Sequence, residues 1–137
     1  MKKTTTVAIL ILFANIMGLR ADDLVGKLDG KDWKGTFCKV QESNDGKLVL
    51  DIYAKPVKGM KEEFTTPHLI VKVPKKDGAY GQPQAGVTFF IPPGSNQIDA
   101  DAKVTIATSD KGTNITVTAK MDENNWAKGT YTIGQAR

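Results

Sequence analysis

The feature that most constrains the fold is an alternation of apolar and polar residues, with a period of two, through most of the chain after residue 21. In the segment 113–121, for example, Ile115, Val117 and Ala119 alternate with polar residues. Successive side chains of a β-strand point to opposite faces of a sheet, so this pattern gives one apolar and one polar face. Such strands are typical of antiparallel sheets that bury one face. We therefore predict an all-β domain.

Turn-forming residues divide the alternating pattern into about eight short strands. Asn44, Asp45 and Gly46 separate two of them, and these residue types tolerate the positive φ angles of tight turns. The predicted strands cover residues 24–28, 33–41, 47–53, 68–73, 86–91, 102–108, 113–121 and 126–133. A single helical turn is expected around residues 59–64.

Two connections, 54–67 and 74–86, are longer than the roughly two to six residues that commonly join neighbouring elements. Long connections among short hairpins are typical of crossovers between two packed sheets. We therefore predict an antiparallel β-sandwich. The alternative is a small up-and-down, calycin-like β-barrel.

The first 21 residues have the pattern of a secretory signal peptide. Lys2 and Lys3 precede an apolar run at 7–14, and polar residues follow from position 20 onward. A basic start, a short apolar centre and an abrupt polar onset are typical of an export signal, and the run is shorter than the roughly 18 to 20 residues of a membrane span. We expect cleavage after Ala21, which leaves one secreted or periplasmic domain, 22–137, without a membrane anchor.

The charge of the chain does not predict a nucleic-acid partner. The whole chain has 19 Lys plus Arg against 15 Asp plus Glu, a net charge of +4. Three of these bases precede residue 22, so the remaining domain has sixteen bases and fifteen acids, a net charge of +1. So small a charge gives no general attraction to an anionic polymer. A local group of lysines comprises Lys55, Lys58, Lys61, Lys72, Lys75 and Lys76. Lysines of this kind suit solubilising positions on loops and edges, and the alternative is a basic patch that contacts an anionic polysaccharide, lipid or protein surface.

No catalytic, metal-binding or cofactor-binding motif is apparent. His68 is the only histidine and Cys38 the only cysteine, which leaves few ligands for zinc and one imidazole for catalysis. The acidic pairs lack the spaced oxygen ligands of a calcium loop. We therefore predict no enzyme activity, no metal and no cofactor. Because Cys38 has no partner within the chain, a disulfide-linked dimer is a further hypothesis.

An exported β-domain without a catalytic motif is expected to bind a protein or a carbohydrate. Long loops on a rigid sheet commonly carry recognition, which favours the connections 54–67 and 74–86. The candidate binding residues are Met60, Phe64, Tyr80, Gln82 and Gln84 in these connections, together with Trp33 and Trp126. The alternative is a small barrel that carries an apolar ligand or inhibits an enzyme, lined by Trp33, Phe89, Phe90 and Trp126.

Overall fold

The computed structural model describes residues 23–92 and 97–134, so the predicted signal peptide lies outside the described residues. The described part of the chain forms ten strands and one short helix. In chain order they are β1 (Val25–Leu28), β2 (Lys31–Lys34), β3 (Phe37–Glu42), β4 (Leu48–Tyr53), α1 (Gly59–Thr65), β5 (His68–Val73), β6 (Gly78–Gly81), β7 (Gly86–Phe90), β8 (Gln97–Ser109), β9 (Gly112–Asp122) and β10 (Asn125–Ile133). Each pairing between these strands is antiparallel. The all-β prediction is confirmed.

The strands form one continuous sheet that curls into half a barrel. Their order is β2-β1-β10-β9-β8-β7-β5-β4-β3, and β6 pairs with β8. The long strand β8 connects the two halves of the curl, because its residues 97–100 pair with β7 and its residues 101–109 pair with β9. A shared strand of this kind does not support the predicted arrangement of two stacked sheets.

The two long connections explain why the sandwich prediction is not supported. Strands β4 and β5, joined by residues 54–67, are hydrogen-bonded neighbours, and so are β5 and β7, joined by residues 74–85. The first connection therefore joins adjacent strands directly, whereas the second reaches β8 through β6 before it returns to β7. The first contains α1, close to the predicted helical turn. The second contains β6, which we did not predict because two of its four residues are glycines, a residue type depleted in strands.

The predicted strand 33–41 is divided at Gly35 and Thr36 into β2 and β3, which lie at opposite ends of the strand order. The amide of Gly35 donates a 2.9 Å hydrogen bond to the Leu24 carbonyl, on the side of β1. The amide of Thr36 donates one of 2.9 Å to the Tyr53 carbonyl, at the end of β4. The chain thus passes from one edge of the curled sheet to the other within two residues.

One apolar cluster occupies the inside of the curl, and the alternating pattern predicts most of it. Its members from strands β4, β5, β7, β8 and β9 are at most 2% exposed: Leu50, Ile52, Leu69, Val71, Val73, Val87, Phe89, Ala100, Val104, Ile106, Ile115, Val117 and Ala119. Met121, which continues the alternation of Ile115, Val117 and Ala119 and is therefore expected to face inward, is instead 48% exposed. The pairing of β9 and β10 shifts register beside it, and such an irregularity re-aims side chains near the end of a strand.

Candidate functional site

The alternation that builds the core also determines which side chains of β4, β5 and β7 point outward. In β5, Leu69 and Val71 are fully buried in the core, whereas Ile70 between them is half-buried on the outer face. The strand register places Ile70 between Asp51 of β4 and Thr88 of β7. The outward side chains of three neighbouring strands therefore form a continuous floor.

Two depressions on this floor share Ile70, and we call them together the outer groove. The larger has a volume of about 440 Å³ and lies between the sheet and the segment 82–86. The smaller, of about 80 Å³, lies between the sheet and α1. Apart from residues of the segment 82–86 and of α1, the groove is lined by Lys47, Val49, Asp51, Tyr53, His68, Ile70, Lys72, Val87, Thr88 and Phe90. The groove thus follows β5, with one long connection at each end.

Helix α1 is attached to the sheet by an ion pair and exposes apolar side chains at the rim of the groove. Glu63 of α1 pairs with Lys39 of β3. Met60 and Phe64, one turn apart, are 70% and 61% exposed. Phe64 also lines the smaller depression. Neighbouring exposed apolar side chains of this size are a feature of interaction surfaces.

A row of aromatic rings crosses the sheet at the α1 end of the groove. The rings of Tyr53 and His68 stack with their centroids 4.2 Å apart, and those of His68 and Phe90 are 4.9 Å apart. Phe37 extends the row at 6.3 Å from Tyr53. The His68 ring nitrogen Nδ1 lies 2.8 Å from the Thr66 carbonyl oxygen, so an N–H there donates to it. The row follows from the antiparallel register, because directly opposed side chains on one face are neighbours.

Burial controls ionisation at this end of the groove. Desolvation lowers the pKa of His68 below its ordinary value of 6.5, although the Thr66 carbonyl and the charges of Asp51 and Glu63 act in the opposite direction. Desolvation raises the pKa of Asp51 and, with help from the Asp51 charge, raises that of Tyr53 to about 12. The neutral imidazole of His68 therefore packs between the rings of Tyr53 and Phe90, on the part of the sheet beneath α1.

The opposite end of the groove is basic. The Lys47 ammonium donates a 2.8 Å hydrogen bond to the Gln84 carbonyl, which attaches the segment 82–86 to the strand edge. The Lys72 ammonium lies 3.4 Å from an Asp45 carboxylate oxygen, and the two side chains are 45% and 51% exposed. An ion pair as exposed as Lys72–Asp45 contributes little to stability. Exchanging it for a contact between Lys72 and a ligand would therefore cost little.

Four of the predicted binding residues lie at the outer groove. Gln82 and Gln84 line its basic end, and Phe64 lines the other. Met60 lies one turn before Phe64 on α1. Tyr80 is instead half-buried against the core cluster, and its hydroxyl donates to a backbone carbonyl four residues earlier.

The two tryptophans lie away from the outer groove, and both line a separate depression of about 420 Å³ beside β1 and β2. Trp33 is 7% exposed and belongs to the core cluster, and its indole N–H is buried without a hydrogen-bond partner among the described residues. Trp126 is half-buried on the outer face of β10, which β9 and β8 separate from β7. Phe89 points inward and Phe90 outward. The four aromatic residues expected to line a barrel are therefore divided between the two faces of the sheet.

Val49, Ile70 and Lys72 contribute to the groove but were not among the predicted site residues. They lie on strand faces that we expected to point to solvent. The available signal was that Val49 and Ile70 are apolar residues at positions where the alternation predicts polar ones. That signal indicates an outer face that is partly apolar, but it does not indicate which of the connections between strands lie beside that face.

The single cysteine, Cys38, is half-buried in β3. Desolvation, and to a lesser degree the charge of Asp51, raise the pKa of its thiol to about 12. Such a thiol is almost entirely protonated at neutral pH and therefore a weak nucleophile. A disulfide-linked dimer through Cys38 stays a prediction.

Within residues 23–92 and 97–134, no three His, Cys, Asp or Glu side chains are grouped in a way that could hold a metal ion. In the same part of the chain, no helix has the length and apolar character needed to cross a bilayer. No protein-family model matches the sequence, and no curated protein or solved structure matches it either. The candidate function therefore rests on the outer groove.

Proposed function

We propose that this chain is an exported, non-catalytic β-domain that binds another protein through the outer groove. The observation that carries the proposal is the position of the two long connections, because α1 and the segment 82–86 lie at the two ends of one groove along β5. Loops beside a rigid sheet commonly carry recognition. Export to the periplasm or the medium is supported by the basic, apolar and then polar sequence of residues 1–21.

The chemistry of the groove favours a polypeptide over a carbohydrate. Its centre is aliphatic, with Val49 and Ile70, and its rim exposes Met60 and Phe64. Methionine and aromatic residues are enriched in protein interfaces. A carbohydrate presents many hydroxyl groups, and the exposed side chains of Met60 and Phe64 offer no hydrogen-bond partner for them. A polypeptide with apolar side chains is the better match.

The interior of the curled sheet argues against the alternative of a carrier for an apolar ligand. A carrier needs an internal cavity lined by apolar side chains. Here the inward side chains of the central strands, among them Leu69, Phe89 and Ile115, are fully buried against one another. A core packed in this way supports a partner on the outer face over a ligand inside the curl.

Selection from a peptide library on the purified chain, in parallel with a glycan array, tests the proposal. The groove variant combines Phe64→Ala with Ile70→Ala, and the matched control is Met121→Ala, an exposed apolar residue near the end of β9. We expect peptides that are enriched on the native chain and on the control but not on the groove variant, after circular dichroism has confirmed that both variants are folded. Enrichment of glycans alone would contradict a protein partner, and equal enrichment on all three chains would contradict the groove.

A further inference from the structure

The outer groove presents a positive charge and an aliphatic surface in a fixed order along β5. We propose that its partner is an extended acidic segment in which an acidic residue contacts Lys72 and an aliphatic residue two positions away contacts Ile70. This inference rests on the proposed function and adds the chemistry of the partner. Three features of the groove support it.

The first feature is the charge at the 82–86 end. Lys47 donates to a neutral acceptor, the Gln84 carbonyl, so this hydrogen bond does not neutralise its charge. Lys72 has a carboxylate 3.4 Å away in Asp45, but both side chains are about half exposed. Among the side chains that the structure describes here, the two ammonium groups of Lys47 and Lys72 outnumber the one carboxylate of Asp45, which favours the approach of an anionic group.

The second feature is the spacing of the side chains. Lys72 and Ile70 are alternate residues of one strand and point to the same face. Two residues of a strand span roughly 6.5 to 7 Å. An extended peptide has the same repeat, so its side chains at two alternate positions can contact Lys72 and Ile70 together. The match requires no bend in either chain.

The third feature is the opposite charge at the α1 end, which sets the direction of the bound segment. Asp51 and Glu63 line the smaller depression there. Glu63 already pairs with Lys39 of β3, and a further carboxylate would be repelled by Asp51. The acidic residue of the partner is thus favoured at Lys72, and the residues that approach Phe64 are expected to be neutral or apolar.

Fluorescence anisotropy with two labelled synthetic peptides tests the inference. The peptides are identical except that one contains Glu-Ser-Leu and the other Lys-Ser-Leu between neutral flanks. On the native chain we expect the acidic peptide to bind about tenfold more tightly than the basic one at low salt, with the difference shrinking as salt is added. The Lys72→Glu variant is expected to reverse the preference, and the milder Lys72→Gln variant to abolish it.

The matched control is Lys103→Glu, which makes the same charge change at an exposed residue of β8 outside the groove. It is expected to keep the preference of the native chain. An unchanged preference in Lys72→Glu, or no binding of either peptide up to its solubility limit, would overturn the inference. Library peptides without an acidic residue that still depend on Phe64 and Ile70 would also overturn it, while the proposed function would stand. If no library peptide depends on those two residues, the proposed function itself fails.

Discussion

His68 is the residue at which burial, ring stacking and charge meet beneath α1. Its ring lies between those of Tyr53 and Phe90 and is 4% exposed. The charged groups that act on it are Asp51 on β4 and Glu63 on α1, and both favour the protonated imidazole. Desolvation outweighs them and lowers the pKa of His68. Protonation of His68 therefore opposes the packing of α1 on the sheet.

This arrangement predicts that the folded protein loses stability as the pH falls through the imidazole range. Because the pKa of His68 is lower in the folded than in the unfolded chain, the unfolded chain binds the proton more readily. The contribution of a neutral His68 is complete above the ordinary pKa of 6.5 and decreases below it. Urea denaturation at pH 7.5 and at pH 5.5 measures the change. In the His68→Gln variant the stability is expected to be lower at pH 7.5 but to change less with pH, and an equal pH dependence in both chains would contradict the assignment.

At the scale of secondary-structure elements, the pairing of β1 with β10 requires an unusually close approach of the two backbones. Gly26 of β1 lies opposite Ala127 of β10. A Cβ atom on Gly26 would lie 1.9 Å from the Trp126 carbonyl oxygen. A glycine inside a strand often marks such an approach, but the sequence does not say which strand comes close. The pairing thus depends on the absence of a side chain.

We predict that Gly26→Ala destabilises the protein by about 3 kcal/mol, at the upper end of the range for overpacking. The obstructing atom is the Trp126 carbonyl oxygen, which belongs to the backbone and cannot rotate away. The matched control is Gly81→Ala in β6, where the nearest atom to an added Cβ is 3.8 Å away. That change is expected to stay within about 0.5 kcal/mol. Urea denaturation of both variants gives the comparison, and similar stabilities would contradict the close approach of β1 and β10.

At the scale of the whole molecule, one core serves both halves of the curled sheet. Leu69 and Phe89 come from β5 and β7, Val117 comes from β9, and all belong to one apolar cluster. The tryptophans lie in β2 and β10, on the other half of the strand order from Phe89. A substitution that destabilises one half is therefore expected to destabilise the other half as well. The domain should then unfold as a single unit.

Truncation of Phe89 to alanine tests this cooperativity. We expect a loss of about 3 to 5 kcal/mol, the range for a large buried aromatic residue. The unfolding midpoint measured by tryptophan fluorescence should decrease by the same amount as the midpoint measured by far-UV circular dichroism. Met121→Ala, at an exposed position, should leave both midpoints nearly unchanged. Separate fluorescence and dichroism transitions in Phe89→Ala would mean that the two halves unfold independently.

Part of the candidate site could be predicted from the sequence. Phe64, Gln82 and Gln84 lie in long connections, and loop length is visible in a sequence. Ile70 and Lys72 could not be assigned to the same site as these residues, because the depression that they line together with the 82–86 segment depends on how neighbouring strands pair. Strand pairing joins residues far apart in the chain, and no local pattern specifies the partner.

The residue pattern was enough to predict the all-β class, most strand positions and most inward residues of β4, β5, β7 and β9, because side-chain direction in a strand is a local property of the backbone. Three features emerge only in the folded chain: Gly35 and Thr36 connect the two edges of the sheet, Gly78–Gly81 pairs with β8, and both long connections border one groove. These features depend on hydrogen bonds and packing between distant segments. Because both partners of each such interaction must be brought together by the folded core, the sequence of one segment does not predict the interaction.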